Sequence, residues 1–184
     1  MVNAKLKRVE SDAAGLHLAM ATYQDRYRQL PGDDSNAYRR FDIYSTLNAG
    51  DVNGNGSGVI EGNWNERNTD SLQSTGAVES EKFFAHLRAA GLIPGSSFVT
   101  TRPVNTNDGH IGVQDGALDL SGHVTVFGNL DGVFIKIIES KLDDGKPQTG
   151  NIQAEDSSRV LSRGTTSLAT SYQDNTRYNV AFHL

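Results

Sequence analysis

The sequence predicts an α+β fold: a long N-terminal amphipathic helix packed on an antiparallel β-sheet, with an irregular region between the two. Three observations carry this expectation. Apolar residues recur at helical spacing through the first 30 positions, residues 32–78 are rich in Gly, Asn and Asp, and the last residues alternate apolar with polar.

The helical stripe is Val2, Leu6, Val9, Ala13, Leu16, Met20, Tyr23, Tyr27 and Leu30, with steps alternating between four and three residues. That rhythm keeps every member on one side of a 3.6-residue turn. A helix of this extent runs about 42 Å at about 1.5 Å per residue. Such a stripe suits a helix covering a sheet or one strand of a coiled coil, and we read it as the first. Pro31 disfavours helical backbone at Leu30, so Leu30-Pro31-Gly32 is the expected stop.

Residues 32–78 hold few apolar positions and the run Gly50-Asp51-Val52-Asn53-Gly54-Asn55-Gly56-Ser57-Gly58, which predicts a long surface loop. A second helix is expected from about Ser80, as its cap, to Ala90, with Phe83, Phe84 and Leu87 on its apolar face and Gly91 at its end. Phe98–Thr101 and His123–Phe127 read as strands. Gly132–Leu142 satisfies both patterns: its β-branched residues favour a strand, while the spacing of Ile135, Ile138 and Leu142 permits a helix. Arg177–Leu184 alternates cleanly and predicts a strand with one buried and one wet face. With no internal repeat and no shift in composition, residues 1–184 are expected to form a single domain. Its parts are the helix (1–30), a loop region with a second helix (31–96), and the sheet and C-terminal region (97–184).

Composition narrows the function. The 184 residues carry a net charge of −5, so no nucleic-acid partner is expected; the only basic cluster is Lys5, Lys7 and Arg8. Cysteine is absent, which removes disulfides, thiolate metal sites and a thiol nucleophile. No apolar run of membrane-spanning length and no signal peptide occur, so the chain as it stands is expected to be soluble.

Catalytic motifs are also missing. His17, His86, His110, His123 and His183 form no pair at metal-binding spacing, no serine lies in a nucleophile elbow, and the glycine-rich run lacks a phosphate-loop ending. Nothing singles out a carboxylate pair of the glycosidase kind. The chain is therefore expected not to be an enzyme. One segment resembles ligand chemistry: Asp51, Asn53 and Asn55 alternate oxygen donors as a calcium loop does. The twelfth position of such a loop is Gly62, however, and Asn-Gly runs also close turns without metal. No cofactor is otherwise indicated.

Four segments, in order, resemble the type IV pilin and type II secretion pseudopilin family. Tyr23-x3-Tyr27-x2-Leu30-Pro31-Gly32-Asp33 is similar to the close of the pilin backbone helix. Gly50 to Ile60 resembles the glycine- and asparagine-rich loop of one branch. Glu81-x2-Phe84-x-His86-Leu87-x2-Ala90-Gly91-Leu92-Ile93-x-Gly95 resembles that branch's second helix and its exit. Lys141-Leu142-Asp143-Asp144-Gly145-x-Pro147-x-Thr149-Gly150 resembles its DDG segment. The matches span Tyr23 to about Ala154.

The resemblance implies a pilin-like fold, and it implies that Gly132–Leu142 is helical. It implies a structural subunit, a major or minor pilin, whose partners are other pilin subunits and an inner-membrane assembly platform. Such a subunit sits in the inner membrane before assembly, then in an extracellular filament or a periplasmic pseudopilus. Pilins begin with a processed leader and an apolar segment of about 20 residues, so that segment is expected upstream of Met1 in the native protein. Many pilins also staple their C-terminal region with a disulfide, for which this chain has no cysteine.

Leu6, Val9, Leu16, Met20, Tyr23, Tyr27 and Leu30, with Phe84 and Leu87, are the expected packing residues. In the Asp143-Asp144-Gly145 loop, one aspartate is expected to fix its own backbone, and the pair is a second donor set for a cation. A pseudopilin of a secretion machine and, from another class, a small carbohydrate-active hydrolase or binding module are the alternatives.

Overall fold

A computed structural model describes residues 2–157 and 167–183. It has the expected α+β plan: a long N-terminal helix and a four-stranded antiparallel sheet. Helix α1 runs unbroken over Val2–Tyr27, and Leu6, Val9, Leu16, Met20 and Tyr23 of the stripe are buried. It ends three residues before the stop predicted at Leu30. Arg28 takes a left-handed backbone with φ 56°, and this turns the chain out of the helix before Pro31 is reached. Leu30 is nonetheless buried.

The chain divides into two compact units, one of residues 1–14 and 103–184 and one of residues 15–102. Helix α1 contributes its first half to one unit and its second half to the other.

In the first unit the strands are β1 (Ile111–Ala117), β2 (Leu120–Asp131), β3 (Ile152–Asp156) and β4 (Arg177–His183), in the spatial order β1-β2-β4-β3. All three pairings are antiparallel. The alternation in 177–183 does mark a strand, but not a half-wet one. Asn179 and Ala181 are buried along with Tyr178 and Val180, so both faces of β4 are covered. Leu184 lies outside the described residues. Strand β2 passes directly into α5 (Gly132–Leu142), so the segment that read both ways is a helix. Phe134, Ile135 and Ile138 form its buried face, and that burial overrides the weak helix preference of its β-branched residues. Residues of α1 meet α5 through a Lys141–Glu10 ion pair at 2.7 Å and through Lys5, whose ammonium lies 5.9 Å from the Phe134 ring centre.

In the second unit, residues 32–78 are not the surface loop that their composition predicts. They contain α2 (Ala37–Arg40), a 3-10 turn (Asp42–Tyr44) and α3 (Ala49–Val52), and they bury Tyr44, Val52, Ile60, Trp64 and Leu72. A few large side chains thus do what a denser apolar pattern does elsewhere. The second helix, α4, spans Glu79–Ala89 with Phe83, Phe84 and Leu87 fully buried. Ser80 is not its cap. It lies inside the first turn and donates its hydroxyl to the Asn63 carbonyl, while Glu81 reaches back to accept the N–H of Val78. Phe98–Thr101 is not a strand either. Val99 forms only an isolated bridge to Ser71, because no extended partner runs beside it.

Candidate functional site

Buried carboxylates occur in both units. In the second unit, carboxylates organise the glycine-rich run. The Asp33 side chain accepts the N–H groups of Gly56 (2.6 Å), Ser57 (3.0 Å) and Gly58 (2.7 Å). Glu79 accepts those of Asn55 and Glu61, each within 2.9 Å. Gly32 is required here: its φ is 87°, and a Cβ would lie 2.4 Å from the Glu79 carbonyl oxygen. His86 accepts the Gly32 N–H and also meets the Val52 carbonyl, and Lys82 donates to the Asn53 carbonyl, so the segments 30–33, 50–60 and 81–95, far apart in sequence, are one hydrogen-bonded assembly.

Asp34 is the anchor on the other side of that turn. It accepts from the Tyr23 hydroxyl at 2.7 Å, from Arg40 Nε at 2.7 Å and from the Asn36 N–H at 2.8 Å. Burial pushes its carboxyl up, but the bonds from Arg40, Tyr23 and Asn36 outweigh this and hold it below the usual range. The Arg40 guanidinium also lies 4.7 Å from the Tyr27 ring centre, and Tyr23, Tyr27 and Phe41 pack edge-on or tilted beside it. Tyr23 and Tyr27, the end of the predicted stripe, are thus tied into this unit by both ring packing and charge.

The expected calcium donors Asp51, Asn53 and Asn55 are also hydrogen-bonded within their own region. Asn53 Oδ1 accepts the N–H of Tyr38 at 2.8 Å and Asn55 Oδ1 that of Ser57 at 2.8 Å, while Asp51 Oδ2 accepts from the Asn48 side chain at 3.1 Å. Each oxygen has a different protein donor, of the kind that turn chemistry provides.

In the first unit, a carboxylate cluster lies at the end of α5. One ligand oxygen each of Glu139, Asp143 and Asp144 lie within 4.8 Å of one another. Helical spacing puts Glu139 and Asp143 on one face, and the turn after the helix adds Asp144. As expected, the aspartates also fix their own loop. Asp143 Oδ2 accepts the Ile152 N–H at 2.7 Å, and Asp144 accepts the Lys146 N–H at 2.9 Å and the Thr149 hydroxyl. Gly150 has no side chain to displace the Asp143 carboxylate; a Cβ there would lie 2.1 Å from Asp143 Oδ2.

Glu139 itself is fully buried. Its Oε1 accepts the Tyr172 hydroxyl at 2.5 Å, while Oε2 has no hydrogen-bond partner among the described residues. Burial pushes its carboxyl up to about 7; the neighbouring Asp143 and Asp144 charges add to this, and the Tyr172 bond and the nearby Gly145 N–H oppose it. Sequence reading picked out Asp143, Asp144 and Gly145 but missed Glu139. The signal was its four-residue spacing from Asp143, which has meaning only once 132–142 is a helix.

Among known protein families, characterised proteins and solved structures, none matches this chain.

Proposed function

We propose that this chain is the globular head of a structural subunit of a bacterial type IV pilus-like filament, and that it acts by assembly rather than by catalysis. The observation that carries this reading is the form of α1. A single helix of 26 residues opens the described chain and buries one stripe within the head, yet it leaves Leu18 68% exposed on its outer side. Ala14, Gly15 and Ala21, one turn to either side of Leu18, are exposed as well. Small residues beside one large apolar residue let another helix approach closely, so the outer side of α1 suits helix-against-helix packing.

Among the described residues no helix is long and apolar enough to cross a membrane. Burial of helix surface, at about 25 cal/mol per Å², would supply most of the assembly free energy. The order of the four family-like segments supports the same reading, as does the hydrogen bonding that joins three of them. The test is to express the full-length native protein in a filament-producing host. Recovery in sheared surface filaments or in a secretion pseudopilus is expected. Turnover of a glycan by the purified head would overturn the reading.

A further inference from the structure

We propose that the outer face of α5, which carries Val133 and Ile137, is an assembly surface that takes the outer side of α1 from a second copy of this chain. The contact presupposes the filament reading and deepens it, because it names a head surface that a neighbouring subunit covers. Phe134, Ile135 and Ile138 of α5 are buried, whereas Val133 and Ile137, one helical turn apart on the outer face, are 42% and 36% exposed. Burial explains the first three. The other two run against propensity: β-branched side chains are poor helix formers, and exposed to water they recover little by burial. Residues that break a local rule without a gain inside the fold mark a surface kept for a partner.

The outer side of α1 is the complementary surface. Ser11, Ala14, Gly15, Leu18 and Ala21 are exposed there, and none of them is charged. Leu18 is the one large side chain among small ones. A Cβ on Gly15 would meet nothing within 4 Å, so that position is open to an incoming helix. Val133 and Ile137 stand about 6 Å apart along their helix, at about 1.5 Å per residue, and form a ridge with a gap one side chain wide. Leu18 enters that gap. The small residues around it leave room for Val133 and Ile137 to reach the α1 surface, as the ridge of one helix fills the groove of another.

Charge favours the same pairing. Each copy carries a net charge of −5, so copies repel, and they touch at least cost where their faces are neutral. On α5, Lys136 is matched by Asp174 and Lys141 by Glu10, which leaves the Val133–Ile137 face without unbalanced charge. Area decides between a free dimer and a filament. Two part-exposed side chains against one leucine fall far short of the roughly 800 Å² per partner that a stable pair buries. The contact therefore holds only between subunits already gathered by other surfaces. It is also heterologous, α5 of one copy against α1 of the next, and contacts of that type propagate along a row of subunits.

The experiment uses the full-length native protein in a filament-producing host. This chain has no cysteine, so Leu18→Cys combined with Ile137→Cys allows a disulfide between these positions only where they meet. Oxidation of sheared filaments is expected to give a ladder of linked subunits, while either single variant gives none. Ile137→Lys, an exposed change to a better helix former, should leave the urea midpoint of the head unchanged and cut recovery in filaments about tenfold or more. Filaments that contain the doubly substituted protein but yield no ladder, or normal recovery of the Ile137→Lys protein, would overturn the contact and leave the filament reading standing. Linked pairs from Ile137→Cys alone would overturn it in favour of a symmetric α5 contact. Absence of the unsubstituted protein from every filament would overturn the filament reading and this contact with it.

Discussion

Gly32 donates its backbone N–H to Nδ1 of His86 over 2.9 Å, and Nε2 of the same ring lies 3.0 Å from the Val52 carbonyl oxygen. An N–H can only donate and a carbonyl can only accept, so the ring carries its single proton on Nε2 and is neutral. The histidine thereby links the turn after α1, the end of α3 and helix α4. Burial pushes its pKa down to about 4, with Lys82 and Arg40 adding to that and the Val52 carbonyl and Asp34 opposing it.

The pH dependence follows in sign. In the unfolded chain His86 protonates near pH 6.5, and in the folded chain only near 4. Its contribution to stability is complete above about pH 6.5 and is lost as pH falls toward 4, because the unfolded state binds the proton first. The loss is roughly 3 kcal/mol at about 1.4 kcal/mol per pKa unit. Urea denaturation at a series of pH values should show this decline. A His86→Leu variant should be less stable at pH 7.5 yet flatter between pH 6.5 and 4.5. An unchanged slope would mean that the ring is not held neutral.

Phe84 and Leu87 are both fully buried on α4. Truncation of either to Ala should cost about 2–5 kcal/mol, read from chemical denaturation. A loss under about 0.5 kcal/mol, the size expected of a surface site, would contradict the packing of this helix.

Asp33 gathers three consecutive N–H groups from residues 56–58. Asp33→Ala removes every one of those acceptors, and the change should destabilise the chain by roughly 1–3 kcal/mol. Hydrogen exchange should speed up at Gly56, Ser57 and Gly58 more than in β2 or β4. Uniform acceleration across the whole chain would show instead that the loop has no stability of its own.

Leu18 distinguishes assembly from folding. At 68% exposure, its replacement by Glu should change head stability by less than about 0.5 kcal/mol. In the full-length protein the same change should strongly reduce recovery in sheared filaments. The head alone, of 19.9 kDa, should scatter light as a monomer at micromolar concentration, because one helix face is too small to hold a stable dimer. Normal filament incorporation of the Leu18→Glu protein would remove this face from the assembly surface.

The elements legible in the sequence were those whose periodicity is long. The stripe of α1 and the alternation in β4 each repeat often enough to outweigh local noise, and α4 combines an apolar face with a glycine stop. Residues 132–142 were ambiguous because Val133, Ile135, Ile137 and Ile138 prefer strands in isolation; their fate is decided by the buried face at Phe134, Ile135 and Ile138. Phe98–Thr101 failed for the converse reason: a strand needs a ladder partner, and local composition does not provide one. The DDG motif exposed two of the three clustered carboxylates, while Glu139 was hidden within an apolar stretch. The bonds of Asp33, Glu79 and His86 join residues 18 to 54 positions apart, and no spacing rule reveals such bonds.

The position of β4 bears on when the sheet can form. Its spatial neighbours are β2 and β3, yet it is the last of the four strands to leave the ribosome. Until it emerges, β1 and β2 can close only as a hairpin, and β3 has no strand with which to pair. Two of the three ladders thus await a single late segment, and the β2–β4 pairing joins residues such as Val126 and Ala181 across a long stretch of chain. Such non-local closure is slow. In the interval β2 presents an unpaired apolar edge of the sort that recruits other chains. A nascent chain stalled before β4 should therefore be a far better substrate for chaperones than the finished protein.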